Sequence, residues 1–365
     1  MSKEIRITAI SRDPIYIGTG GFTIGRVDNT IVRDPITRIP KIPGTSLAGT
    51  WRYYMALTIH SYFKENFKIN RKARKSRLEE AGKKEGEEKK IEVLFKNNVK
   101  DWVSGFKGNR YAAIKCAGQD DKPNLSVEES KMLSINEDAG HCGNCIVCKT
   151  FGFSKQDKSQ RGMAYFSDLN ILLFPVYTRL GTRWITSKGI LNSAGIKLKS
   201  VPNFEDYEVL VCDKDDSKQN SINLGWLNFR IKNGESTVNV SNIKKQFEDD
   251  SAINLLGEKI IIVSDNIIHQ IINSNLETRT SVSIDPITGA AKEGALFTSE
   301  AIPRGTIFYG NVRIEEHPLD EELPLDYVSE ALKDSKKYFE TLGVGGMTTR
   351  GFGRLKIFDW GEKND

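Results

Sequence analysis

A chain of 365 residues, 38% hydrophobic and 28% charged, is long enough to bury one large core or two of ordinary size. No apolar run approaches the roughly 20 residues of a membrane span, and the opening MSKEIRITAI has no apolar signal core, so membrane insertion and export are not expected and the cytoplasm is the default. A net charge of +5 tolerates a polyanionic partner without demanding one.

In chain order, EIRITAIS (residues 4–11) alternates Ile5 and Ile7 with polar positions and predicts a half-buried strand. Two loop-rich stretches follow, IGTGGFTIGRVDN and RDPITRIPKIPG, punctuated by glycine and proline. Pro43-Gly44 then precedes Thr45 and Ser46, either of which can cap a helix. Its apolar stripe runs through Leu47, Trp51, Tyr54, Met55, Ile59, Tyr62 and Phe63. Residues 64–90 are basic in their first half and of mixed charge after it, which reads as a solvated helix and insertion or as a nucleic-acid contact.

From about residue 165 to 313, short apolar runs (YFSDLNILLF, KIIIVSDNII, GTIFYGNVRI) are separated by turn signals and predict strands. YVSEALKDSKKYFETL, residues 327–342, puts Val328, Ala331, Leu332, Phe339 and Leu342 on one face and predicts a second helix. The fold class is α+β. One echo is visible: DPIT occurs at Asp34–Thr37 and again at Asp285–Thr288, and both copies read as tight turns.

The stretch LGVGGMTTRGFGRLKI, residues 342–357, is glycine-rich and basic. It is neither a P-loop nor a dinucleotide loop, because no Gly-Lys-Ser/Thr exists and Thr348 stands where the third glycine of G-x-G-x-x-G belongs. It also follows a helix and precedes a strand, the reverse of a nucleotide loop, with Gly343 suited to cap the helix. Any phosphate must therefore be held by loop N–H groups, by Arg350 and Arg354, and by the hydroxyls of Thr348 and Thr349. A plain glycine-rich turn is the rival reading.

HCGNCIVCKTFG, residues 141–152, sets Cys142, Cys145 and Cys148 in C-x₂-C-x₂-C spacing, which in a cytoplasmic chain reads as metal before disulfide. Tetrahedral Zn²⁺ needs a fourth ligand, for which Cys116 and, alternatively, His141 are the candidates. A structural zinc is expected. Catalytic zinc lacks a glutamate at a suitable spacing, and thiols without metal are the remaining reading.

Three stretches in this order, IPGTSLAGTWRYY, RTSVSIDPITGAAKEGALFTSEAIPRGTIFYG and LGVGGMTTRGFGRLKI, resemble the RAMP superfamily, specifically a backbone subunit of a type III CRISPR effector complex. The resemblance implies a single domain over 1–365 with a ferredoxin-like, RNA-recognition-motif-like core. Its parts are an N-terminal core (1–63), a basic insertion (64–110), a zinc-binding insertion (111–160), a second αβ part (161–313) and a C-terminal helix, loop and strand (314–365). A protruding β-hairpin, the thumb, falls at 279–304, with Arg279, Lys292, Ile284, Ile287 and Leu296 supplying cations and apolar bulk.

The implied partners are guide crRNA, target RNA, other RAMP backbone subunits and the large subunit of the complex. RNA contacts fall on Tyr16, Ser46, Arg52, Gly343, Gly345, Gly346, Thr348, Thr349, Arg350, Gly351, Gly353 and Arg354. The family's RNA-cleaving members carry an aspartate six residues ahead of an Asp-Pro-x-Thr turn, a position matched by Asp28, with Asp34 as the alternate. Cleavage assisted by Mg²⁺ or Mn²⁺ is implied. Two departures stand out: Ala48 replaces the lysine of the family's SLKG, and Tyr16 falls where relatives often have histidine. A scaffold subunit without cutting activity and a guide-processing endoribonuclease remain open as alternatives.

Overall fold

The structure, a computed structural model, describes residues 2–20, 27–62, 96, 99–104, 114–117, 141, 145–155, 158–198, 202–232, 259–316, 323–358 and 361–363. The basic segment 64–90 and Cys142 lie outside them. In chain order the strands are β1 (Ser2–Ser11), β2 (Lys41–Ile42), β3 (Phe153–Lys155), β4 (Lys158–Gln160), β5 (Ala164–Phe166), β6 (Leu169–Thr178), β7 (Gly181–Ser187), β8 (Glu208–Val211), β9 (Ser221–Leu224), β10 (Leu227–Ile231), β11 (Ile260–Val263), β12 (Glu277–Ile284), β13 (Ala291–Ala301), β14 (Ile307–Glu315), β15 (Leu355–Ile357) and β16 (Gly361–Lys363). One large sheet runs β15-β1-β14-β6-β7-β11-β8-β10-β9, and β12 and β13 form a hairpin outside it. The pairing is antiparallel except for β7–β11 and β8–β10.

β1 pairs with β14 from Ser2↔Glu315 to Ile10↔Ile307. Ile5, Ile7 and Ala9 pack into the core beneath helix α1 (Gly44–Ser61), while Ile10 joins a second core on the opposite face. Thr8 and Ser11 are buried as well, so the half-buried expectation fails for the second half of β1. The reason is position. β1 is interior to the sheet, and the far face is covered by Leu191, Ala194 and Ile196.

The predicted stripe of α1 holds: Leu47, Trp51, Tyr54, Met55 and Ile59 are buried. Its start differs from expectation. The helix begins at Gly44 behind Pro43, which makes no side-chain cap, so neither Thr45 nor Ser46 has the capping role. Asp168, on the β5–β6 connection, accepts the Gly44 N–H at 2.8 Å and places a carboxylate at the positive end of the helix. A Cβ on Gly44 would come within 2.5 Å of the Phe166 carbonyl oxygen, so glycine is required for this approach.

The second predicted helix is broken into Leu325–Ser335 and Tyr338–Thr341. At the break the Ser335 hydroxyl bonds back to the carbonyls of Ala331 and Leu332, a habit that bends helices. The same hydroxyl accepts the Trp51 indole N–H at 2.9 Å, and Phe339 meets the Trp51 ring edge-on at 5.1 Å. Burying side chains of this size stabilises the fold by about 1.5–3 kcal/mol each. The two helices thus lie side by side over β1 and β14. Among the described residues no helix is long and apolar enough to cross a membrane.

Candidate nucleic-acid interface

The glycine loop folds tightly on itself. Val344 N–H donates to the Gly353 carbonyl at 2.9 Å, Gly353 N–H to Pro14 at 2.9 Å, and Gly346 N–H to Tyr16 at 3.0 Å. Gly345 and Gly353 both have positive φ, and a Cβ on Gly345 would lie 2.2 Å from the Tyr16 carbonyl oxygen. Internal packing therefore accounts for part of the glycine content. Among the described residues, the N–H groups of Gly345 and Met347 are left outside this main-chain pairing. Tyr16 is half-buried under the loop beside Gly346, and burial raises its phenol pKa. The Tyr54 hydroxyl, buried, donates to the Gly343 carbonyl and ties the loop to α1.

The loop's two arginines differ. Arg350 is exposed and forms no ion pair among the described residues. Arg354 grips Asp13 with two parallel bonds, Nε to Oδ2 at 2.5 Å and Nη2 to Oδ1 at 2.9 Å. Those bonds hold the Asp13 carboxyl below its ordinary pKa. Arg279, at the root of the hairpin, donates to the Gly351 carbonyl at 3.2 Å, lies 4.8 Å from the Phe352 ring centroid and pairs with Glu277 at 2.7 Å. The root of the hairpin and the glycine loop are therefore joined.

Asp28 meets the same root from the other side. Its Oδ2 accepts the Thr298 main-chain N–H of β13 at 2.7 Å, while Asp28 N–H and Asn29 N–H both donate to the Thr298 carbonyl, at 3.2 and 3.1 Å. Asn29 bridges Ser299, and Glu300 N–H donates to the Asn29 carbonyl at 3.0 Å. Below this contact the Glu300 carboxylate, nearly buried, accepts from Arg33 Nη2 at 2.7 Å and from Ile31 N–H at 3.4 Å. Arg33 Nε donates to Asn273 at 2.8 Å. The Asp28 loop is thus laced to the hairpin along three successive residues. Oδ1 of Asp28 has no hydrogen bond among the described residues.

Asp34 is otherwise engaged. Its Oδ1 accepts from the N–H groups of Ile36 and Thr37, at 3.0 and 2.9 Å, and from the Thr37 hydroxyl, and its Oδ2 takes Lys41 at 3.3 Å. The Thr37 N–H bond first, then the other donors, lowers its pKa. Among the described residues, Asp28 belongs to no group of three or more metal-ligating side chains.

The hairpin β12–β13 turns at Asp285–Gly289 and exposes Val282, Ile284, Ile287 and Leu296. Lys292 is exposed on β13.

The thiols of Cys116, Cys145 and Cys148 lie within 4.8 Å of one another, all buried, a donor set that fits a soft tetrahedral cation. Cys145 Sγ accepts the Cys148 N–H at 3.5 Å. Arg52, expected on a guide backbone, instead points its Nε at the Cys116 carbonyl (2.7 Å) and its Nη2 at His141 Nδ1 (3.1 Å). A guanidinium only donates, so Nδ1 accepts this bond.

With this geometry in place, the comparison with known families is decisive: residues 8–356 match the profile of the RAMP superfamily. The chain belongs to the RAMP superfamily. Among its relatives, the CRISPR system Cmr endoribonuclease Cmr4 of Pyrococcus furiosus is 25% identical over 224 residues, 58% of this chain and 74% of that protein. The CRISPR system Cms endoribonuclease Csm3 of Mycobacterium tuberculosis is 48% identical over 46 residues, 13% of this chain and 20% of that protein. A crystal structure of Cmr4 superposes with a TM-score of 0.52 at 16% identity, covering 98% of this chain and all (100%) of that one. A chain of the apo type III-B Cmr-beta complex gives 0.51 at 14% identity, covering 97% and 96%. These last two likenesses speak to fold.

Several residues at the heart of this candidate site escaped the sequence reading: Thr298, Glu300, Arg33, Asp13 and Asp168. Asp13 stood just before a quoted loop and Arg33 inside one, but their partners Arg354 and Glu300 are 341 and 267 positions away. Only a contact prediction across the chain would have joined them.

Proposed function

We propose that this chain is an RNA-binding backbone subunit of a type III CRISPR ribonucleoprotein that kinks a guide–target duplex with its hairpin and cuts the target beside Asp28. The observation that carries this reading is the bond from Thr298 N–H to Asp28 Oδ2, which fixes a carboxylate to the root of an exposed, apolar-tipped hairpin. A hairpin whose apolar side chains part stacked bases would bend an RNA lying along it, and the carboxylate stands at its root. The order β15-β1-β14-β6, with α1 following β1 and the helix Leu325–Ser335 joining β14 to β15, supports a ferredoxin-like core for that RNA to lie on. The names of the relatives, Cmr4 and Csm3 endoribonucleases, support the reaction class.

Kinking brings a ribose 2′-hydroxyl into line with the bond from phosphorus to the leaving 5′-oxygen, and such alignment supplies several kcal/mol of a barrier, about 7 or more in the best cases. Asp28 Oδ1 accepts the 2′-hydroxyl proton as the 2′-oxygen–phosphorus bond forms. The phosphorus–5′-oxygen bond breaks, and the departing oxygen takes a proton from solvent. The products are a 2′,3′-cyclic phosphate and a 5′-hydroxyl. A divalent cation, where one assists, would draw on RNA oxygens for most of its ligands, and no step here passes through it. Cys116, Cys145 and Cys148 would hold a structural zinc, with Cys142 as the fourth ligand. The bond between Arg52 Nη2 and His141 Nδ1, which occupies that ring nitrogen, supports that choice. When bound, the ion would supply cross-linking rather than catalysis.

In the assembled complex, Asp28→Ala is expected to lower target cleavage about 10²–10⁴-fold, the range of a lost general base, with target binding unchanged. Undiminished cutting would leave a scaffold without catalysis. Cleavage of repeat RNA by the isolated protein would favour the guide-processing alternative.

A further inference from the structure

We propose that the turn Asp34–Arg38 is a second RNA-contacting wedge, with Ile36 as its tip, acting on the same RNA as the hairpin tip. This rests on the reading of the chain as an RNA-kinking subunit.

The DPIT echo is a repeated structure. In both copies the aspartate N–H donates across the turn, Asp34 to Ile39 at 2.9 Å and Asp285 to Ala290 at 2.8 Å. In both, the fifth residue returns the bond, Arg38 to Asp34 at 3.0 Å and Gly289 to Asp285 at 2.9 Å. Asp285 Oδ1 accepts from Ile287 N–H and Thr288 N–H, at 2.7 and 3.3 Å, as Asp34 does from Ile36 and Thr37. Each threonine hydroxyl also accepts, at 3.4 Å, the N–H two residues on. The result is one rigid turn built twice, with its isoleucine 90% exposed in one copy and 93% in the other. A single exposed isoleucine means nothing. Two identical mounts that both push one into solvent form a device.

The fifth position sharpens the point. Both turns need a left-handed residue there; the hairpin uses Gly289 (φ 66°), the conformationally cheapest choice, and this turn uses Arg38 (φ 59°). Arginine adds nothing the backbone wants. What it adds is an exposed cationic side chain two positions from Ile36 in the same turn, which forms no ion pair among the described residues. An apolar tip next to a cation is the pairing that parts bases while holding the adjacent phosphate.

Placement favours RNA over a protein partner. Asp34 lies six residues beyond Asp28. The turn is braced by Lys41, which also bonds Asp168 at 2.7 Å, and by Asn273, which donates to the Arg38 carbonyl at 3.1 Å. Asn273 in turn accepts from Arg33, whose Nη2 donates to Glu300, two residues from Thr298. Asp28 and Ile36 therefore share one hydrogen-bonded frame. The hairpin tip, by contrast, lies about 23 Å along β13 from Thr298, at roughly 3.3 Å per residue.

The test uses the assembled complex with guide and a target carrying 2-aminopurine at successive positions, one per substrate. Ile287→Ala is expected to dim the probe at one set of positions, and Ile36→Ala to dim it several-fold at a different position nearer the cut. Arg38→Gly, which suits the backbone, is expected to keep the thermal midpoint and lower the salt dependence of target binding by about one counterion. If Ile287→Ala dims its positions while Ile36→Ala changes none, the second wedge is overturned and the proposed function stands. If neither variant dims any position, both fall. If Ile36→Ala releases subunits in sedimentation while fluorescence per bound target is unchanged, the tip is a protein contact and the proposal is overturned.

Discussion

Two antiparallel strand pairs in this molecule follow the same geometry and opposite rules of burial. β1 and β14 run together over nine residue pairs with Ile5, Ile7, Phe308, Val312 and Ile314 sealed from solvent. β12 and β13 pair over a similar length, yet Val282, Ile284 and Leu296 are exposed and only the root is packed. Strand-forming residues are needed in both, because a pleated surface with branched and aromatic side chains is what pairing selects. The core pair is held by what lies above and below it. An isolated hairpin is marginal in water, so the second pair depends on its root, where Ala301 and Ser299 are buried, and leaves its apolar side chains for something else to cover.

The largest way to break this contrast is Phe308→Ala, a large-to-small change in the core pair. It is expected to destabilise the protein by about 3–5 kcal/mol, measured by urea unfolding. A loss below about 1 kcal/mol would mean the pair is less tightly held than its burial says. Next comes metal removal. Cys145 and Cys148 belong to the same core as Ile5 and Ile7, so a chelator is expected to remove about 3 kcal/mol, the linkage value for an ion present at a few hundred times its dissociation constant. Hydrogen exchange should rise in α1 and stay unchanged in residues 277–301. Equal loosening of the hairpin would erase the distinction between the two regions.

Ile284→Ser or Leu296→Ser, at the hairpin's exposed positions, is expected to shift stability by no more than about 0.5 kcal/mol while reducing target distortion in the complex. The smallest effect is acidic. Asp13 is held below its ordinary pKa of 3.8 by Arg354, so the folded chain keeps it ionised to lower pH than the unfolded chain does. Its contribution is complete above that ordinary value and fades as pH falls through the lower folded one. The difference in thermal midpoint between the parent and Asp13→Asn should therefore be constant down to about pH 5 and shrink below about pH 4. A difference that grows on acidification would contradict the assignment of this pair.

The parts of the fold that were legible are those set by neighbours in sequence. The stripe Leu47–Ile59 and the turns at Asp34 and Asp285 follow from periodicity and turn chemistry, which act within a few residues, whereas the hairpin at 279–304 came from a resemblance. The start of α1 was misread because its cap comes from Asp168, 124 positions away. Arg52 was assigned outward because helical spacing cannot say that Cys116 and His141 close over it. The candidate Asp28 came from a resemblance, and nothing local revealed the Thr298 amide that holds it.

Arg279 belongs to two parts of the chain at once, resting on Phe352 and on the Gly351 carbonyl while standing at the foot of β12. Mechanically it is the fulcrum of a lever. Replacing it is therefore expected to loosen the foot of the hairpin and the glycine loop together.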